Sequence, residues 1–168
     1  MTASRKFLPL FRQGALALLL ALCASHAAMA GEWKLKDKDG VHYNLAEQKG
    51  KWVLVNFWAP WCPICLDEMP EFNALHKQHK DLLIIGVAVM YRKKQEVLDV
   101  ARAQSISYPV VMGNEDIASE FGEMKGMPTS FLYSPSGKLI GHHDGPLTQH
   151  EIEQAIAQTP EAEGLFSR

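Results

Sequence analysis

The sequence predicts one α/β domain built around a pair of cysteines. Three observations carry that expectation. Apolar runs suited to buried strands alternate with segments of helical periodicity, the pattern of a layered α/β sheet. The run Trp52-Val53-Leu54-Val55-Asn56-Phe57-Trp58 is apolar on both faces, as a central strand must be. Directly after it, Trp61-Cys62-Pro63-Ile64-Cys65 joins that strand to a helix, with Pro63 at the favoured first helical position.

The first thirty residues stand apart. Arg5, Lys6 and Arg12 are their only charges, and Gly14 to Ala24 is a run of small and apolar residues. Ala28-Met29-Ala30 then offers small residues before a cut at Gly31. This is the pattern of a secretory signal peptide over 1–30, followed by a domain over 31–168. An uncleaved anchor is the alternative, because Gly14 to Ala30 is just long enough to span a membrane, although Ser25 and His26 interrupt it. A lipoprotein would use Cys23, but Leu22 is larger than the small residue expected before it. The implied location is the periplasm, or the periplasmic face of the inner membrane if the anchor stays.

Cleavage changes two counts. The 17 Lys and Arg fall to 14 against 19 Asp and Glu, a net charge of −5, which argues against nucleic-acid binding. Cys23 is also lost, so Cys62 and Cys65 remain as the only cysteines. A secreted chain that keeps a single vicinal pair keeps it for chemistry rather than as a staple. With 47% hydrophobic residues in 168, the chain can bury a core without one.

From Gly31 onward, Trp33-x-Leu35 and Val41-x-Tyr43-x-Leu45 flank an Asp39-Gly40 turn and predict a β-hairpin. Gly50-Lys51 breaks the chain before the strand Trp52–Phe57. The helix from Pro63 places Cys65, Met69, Phe72, Leu75 and His79 on one face, carries Pro70 in its interior and is expected to end at Asp81. Leu82–Val89 is a second central strand. Tyr91-Arg92-Lys93-Lys94 is a solvated basic turn before a helix over Gln95–Gln104. Tyr108–Met112 is a short strand, and Asp116 is expected to cap a helix reaching Phe121. Ser130–Tyr133 and Lys138–His142 are strands around a Ser134-Pro135-Ser136-Gly137 turn. Thr148 caps a last helix with Ile152, Ala155 and Ile156 facing inward, and the residues from Pro160 form a loose tail.

The chemistry follows from the strand–helix junction. The first cysteine, expected to be exposed at the helix start, faces free N–H groups and the positive end of the helix dipole. A dipole effect of up to ~2 kcal/mol brings a thiol from about 8.5 to about 7, where it is half thiolate and still a good nucleophile. Cys65, one turn further in, is close enough to close a ring. A Cys-x-x-Cys is also half of a structural zinc site, but no second cysteine pair or trustworthy histidine pair completes four ligands. No metal site and no cofactor are expected.

The chain resembles the TlpA/ResA type of thioredoxin-fold envelope thiol–disulfide oxidoreductases over residues 33–158. The resemblance rests on Leu35-x-Asp37-x-x-Gly40, on Gly50-Lys51-x-Val53-Leu54-Val55-Asn56-Phe57-Trp58-Ala59-x-Trp61-Cys62-x-x-Cys65, on Glu68-x-Pro70, on Gly126-x-Pro128-Thr129-x-Phe131-Leu132 and on Gly137-Lys138. It implies a thioredoxin fold with an N-terminal β-hairpin and the αβ insertion that marks this type. It implies that Cys62 attacks, that Cys65 resolves the mixed disulfide, and that the pair cycles as the Cys62–Cys65 disulfide. Pro128 would be cis beside the sulfurs, and Met127 would pair with an extended substrate. Trp58 and Trp61 would form the rim around Cys62, with Pro63 and Ile64 setting the redox poise. Where thioredoxin buries an acid beneath its second cysteine, this chain has Asn56, which cannot carry a proton at neutral pH. Glu68, one turn after Cys65 on the same helix face, is then the expected base.

Three functions are open at this point. A reductase would use protein disulfides as substrates, such as those of apocytochrome c or of copper-site assembly proteins, and would need a membrane electron donor. An oxidant or isomerase would use the same two cysteines, but Ile64 supplies no charge or hydrogen bond to hold a thiolate. A Cu(I)-binding module could gather Cys62, Cys65 and Met127, although Met69, Met90, Met112, Met124 and Met127 are scattered. A peroxidase lacks its Thr-x-x-Cys environment. His142 and His143, adjacent in a strand, point to opposite faces and do not share an ion. A monomer is expected.

Overall fold

A computed structural model describes residues 33–160. The expected signal peptide over 1–30 and the tail beyond Pro160 lie outside the described residues. The hairpin pairs β1 (Lys34–Lys36) with β2 (His42–Asn44), with Leu35 opposite Tyr43. Its turn is held by Asp37, whose carboxylate accepts from the N–H of Asp39 and of Val41, both at 2.9 Å, and from the Tyr43 hydroxyl at 3.2 Å. Gly40, at φ +89°, takes the left-handed position of that turn. Leu45, expected to close the second strand, opens a single 3₁₀ turn instead (Leu45–Gln48), because Asn44 caps it by accepting from the Glu47 N–H.

The main sheet runs in the order β5-β4-β3-β6-β7. Its members are β3 (Trp52–Trp58), β4 (Leu82–Ala88), β5 (Val110–Met112), β6 (Thr129–Tyr133) and β7 (Leu139–Asp144). β3, β4 and β5 are parallel, and β6 and β7 continue antiparallel. All seven residues of β3 are buried, as its two-faced apolar pattern requires. The hairpin turn docks against the β5 edge through the Lys38 N–H to the Val110 carbonyl at 2.7 Å, which covers unpaired backbone.

Four helices follow: α1 (Pro63–Gln78), α2 (Lys94–Ala103), α3 (Glu115–Ser119) and α4 (Gln149–Ala157). Strand alternation divides the core. Val53, Val55, Phe57, Val87 and Phe131 pack against the hairpin residues Trp33 and Leu35 on one face. Leu54, Ile84 and Leu132 pack against Phe72 and Leu75 of α1 and Ile152 and Ile156 of α4 on the other. A third cluster joins both cysteines to Trp58, Met69, Ala88, Val97 and Val110.

Three local expectations are corrected. α1 ends at Gln78, not Asp81, with His79 as its C-cap. α3 is capped by Asn114, which accepts from the Ile117 N–H at 2.8 Å; Asp116 lies within the first turn, where a carboxylate still favours the dipole. Ala155 is exposed, and Ile152 and Ile156 alone bury the α4 stripe.

Candidate active site

The end of β3 and the start of α1 place the cysteines. Cys62 is the N-cap of α1, in extended conformation, and its Sγ accepts from the Cys65 N–H at 3.3 Å. This is the helix-terminus contact that the sequence position calls for. Cys62 and Cys65 form a disulfide with Cα atoms 5.3 Å apart. In this oxidised state Cys62 is only 6% exposed and Cys65 is fully buried, so Cys62 is less open than the sequence suggests. The apolar surface beside it comes from Trp61 and Ile64, both more than half exposed, and from exposed Pro63. Trp61 is held by its indole N–H, which donates to the Met90 carbonyl at 2.8 Å. Trp58, expected at the rim, is fully buried and supports the cysteines from beneath; as the last residue of a central strand it points into the core.

The Met127–Pro128 bond is cis, and the Met127 carbonyl oxygen lies 3.9 Å from Cys62 Sγ. The loop that carries it is tied to β7. Thr129 Oγ1 is 2.8 Å from both the Gly126 carbonyl and Asp144 Oδ1, and the Gly145 N–H donates to the Pro128 carbonyl at 2.8 Å. The Thr129 bond in turn holds the Asp144 carboxyl below its ordinary range. Asp144 was not singled out from sequence, because its partner in the ladder, Thr129, is fifteen residues away.

One turn after Cys65, Glu68 is 4% exposed. Asn56 Nδ2 donates to its Oε1 at 2.8 Å, and the Leu147 N–H donates to its Oε2 at 3.0 Å. The same Asn56 nitrogen donates to Ser130 Oγ at 3.0 Å. Burial disfavours the charged carboxylate, while the two N–H donors favour it. Burial wins, and the Glu68 carboxyl is pushed up to about 7. Asn56 and Glu68 are thus brought into contact across twelve residues of sequence. The Leu147 N–H completes the carboxyl's hydrogen bonds and Ser130 shares the Asn56 amide; neither carries a sequence signal, one being an ordinary strand serine and the other a backbone N–H without side-chain identity.

Such a site can exchange disulfides: a sulfur at a helix start, a second sulfur in bonding reach, and a buried acid titrating near neutrality. Among the described residues no group of three or more His, Cys, Asp or Glu side chains could hold a metal ion.

Known proteins agree with this reading. The model of the AhpC/TSA family matches residues 27–142. The thioredoxin-like protein YneN of Bacillus subtilis is 31% identical over 131 residues, covering 76% of each chain. The thiol–disulfide oxidoreductase ResA of the same organism is 30% identical over 129 residues, covering 76% of this chain and 72% of its own. Among solved structures, a thiol:disulfide interchange protein of the thioredoxin family from Chlorobium tepidum superposes with a TM-score of 0.68 at 29% identity, over 76% of this chain and 92% of that one. The chain therefore belongs to the AhpC/TSA family, and within it to the thioredoxin-like thiol–disulfide oxidoreductases of the ResA type.

Proposed function

We propose that the protein is a reductase of protein disulfides that works outside the cytoplasm. The observation that carries the direction is the sparse support of the Cys62 sulfur. Among the described residues it receives one hydrogen bond, from the Cys65 N–H, and its exposed neighbour Ile64 adds neither charge nor donor. A poorly stabilised thiolate makes the dithiol a better electron source.

In the forward reaction the Cys62 thiolate attacks one sulfur of a substrate disulfide, forming a mixed disulfide and releasing a substrate thiolate. Cys65 then loses its proton to the Glu68 carboxylate. The Cys65 thiolate attacks Cys62 Sγ, the Cys62–Cys65 bond forms, and the second substrate thiolate leaves. The substrate gains two electrons and the protein loses them. A base titrating near 7 is matched to that proton transfer at neutral pH. Trp61, Pro63 and Ile64 offer the apolar surface on which a substrate chain rests, Trp58 supports the pair, and the Met127 backbone beside Pro128 offers hydrogen bonds to it.

The sequence pattern of residues 1–30 supports export to the periplasm, by a cleaved signal or a retained anchor. A membrane electron donor would re-reduce the disulfide, and the protein would act as a monomer. Apocytochrome c and copper-site assembly proteins are the substrates that the family resemblance favours. The test is the equilibrium potential against glutathione, with a Cys65→Ser variant to trap partners. A potential at or below about −200 mV, with mixed disulfides accumulating on Cys62, is expected; a value near −120 mV, the level of a strong oxidant, reverses the direction.

A further inference from the structure

A base that takes a proton in every cycle must also release it. Glu68 is sealed: it is 4% exposed, Cys65 one turn earlier on α1 is fully buried, and a bound substrate would close the Cys62 side further. The opposite side of its surroundings is different. A cavity of about 280 Å³ lies between β6, β7 and α4. Leu147, whose N–H bonds Glu68 Oε2, and Ser130, which shares the Asn56 amide with Glu68 Oε1, both line it. The strand register extends the line outward. Asn56 on β3 is opposite Ser130 on β6, and Ser130 is opposite His143 on β7, so the three polar side chains form one row on one face of the sheet. The rest of that face is apolar, from Leu54 and Leu132 to Ile152. His143 is exposed, and Glu151 of α4 is close enough to feel its charge. Gly141, opposite Leu132, leaves the cavity open: a Cβ there would meet nothing within 4 Å.

We propose that this cavity is the proton port of Glu68, through which the carboxyl trades its proton with solvent while the cysteines are covered. The inference rests on Glu68 as the base of the exchange reaction. In the step concerned, the Glu68 O–H bond breaks, the proton passes to cavity water and then to bulk water or the His143 imidazole, and the carboxylate is restored. The volume suffices for several waters at ~30 Å³ each, and Ser130, His143 and Glu151 supply the polar partners that such waters need. The groups that act on Glu68 are Asn56, the Leu147 N–H, Glu71 of α1 and, at longer range, Tyr108; His143 acts on Glu151 and is followed by Asp144 on β7.

The test fills the port without touching the cysteines or the carboxyl. In protein with ¹³C-labelled glutamate, the Glu68 carboxyl resonance is followed from pH 5 to 9 in the wild type and in Gly141→Leu and Ala155→Phe, each checked for an unchanged circular dichroism spectrum. The wild type is expected to show one averaged resonance that moves with pH. The filled variants are expected to show two resonances, protonated and ionised, exchanging slowly, with imidazole buffer no longer speeding the exchange. One averaged resonance in both folded variants overturns the port. Glu68→Gln separates the two ideas. If it reacts with disulfides as the wild type does, Glu68 is not the base, whatever the resonance shows. If it is slow while the filled variants still average, the base stands and the port falls.

Discussion

At the residue scale, Glu68 and Asn56 act as one unit. Asn56 lies buried on the central strand, and its amide N–H turns toward a carboxylate carried by the helix. Glu68→Gln is expected to leave the initial attack by Cys62 intact and to abolish the inflection near pH 7 in the rate of mixed-disulfide resolution, measured by stopped-flow fluorescence. Asn56→Leu removes one of two N–H donors while burial remains. The Glu68 carboxyl should rise further above 7, so the same inflection should move to higher pH, and at pH 8 the variant should lose about 1–3 kcal/mol of stability through the carboxylate left short of a donor. An inflection that stays in place would show that the carboxyl does not feel the amide. Spacing along one helix put Cys62, Cys65 and Glu68 near one another, and it was the family resemblance that made them candidates for attack, resolution and proton transfer. Ser130 and Leu147 could not be placed that way, since Leu147 reaches the carboxyl across 79 residues of chain and Ser130 reaches Asn56 across 74.

At the element scale, the approach of α4 to α1 completes the carboxyl site. Thr148 caps α4 through a reciprocal capping box with Glu151, and the residue before it, Leu147, gives its N–H to Glu68. Two signals in the sequence, Thr148 and Glu151 three residues on, locate this helix start, yet nothing local tells which partner the preceding N–H will find. Thr148→Ala is expected to cost about 1 kcal/mol in urea unfolding. It should also raise the apparent titration point of Glu68, because a frayed first turn loosens the Leu147 N–H; an unchanged titration would mean that packing alone holds the loop. The strands and helices were largely legible: the central strands are continuous apolar runs, the hairpin alternates, and the helices carry apolar residues three to four apart. Their ends were not. Asn114, rather than Asp116, starts α3, and Ala155 turns outward, because capping and burial are decided by which neighbour arrives.

At the scale of the whole molecule, the buried acid and the ring of four residues leave opposite marks on stability. Glu68 titrates at about 7 in the fold and at about 4.5 when unfolded. Between those values the folded state holds a proton that the unfolded chain has lost. Stability of the oxidised protein should therefore fall as pH rises from 4.5 through 7, by a Glu68 contribution on the order of 3 kcal/mol, and Glu68→Gln should flatten that slope. The disulfide works the other way. Closing a ring between Cys62 and Cys65 removes unfolded-chain entropy worth about 2 kcal/mol. The reduced form gains only what the fold does for its thiolate, and the single hydrogen bond to the Cys62 sulfur keeps that gain small. The difference leaves the oxidised fold ahead by more than about 1 kcal/mol, and through the thermodynamic cycle this lowers the potential by roughly 30 mV relative to the unfolded dithiol. Paired urea curves of oxidised and reduced protein at pH 7 check this. A higher midpoint for the oxidised form is the mark of a reductase; a strong oxidant is more stable reduced, and that outcome would reverse the direction of electron flow proposed above.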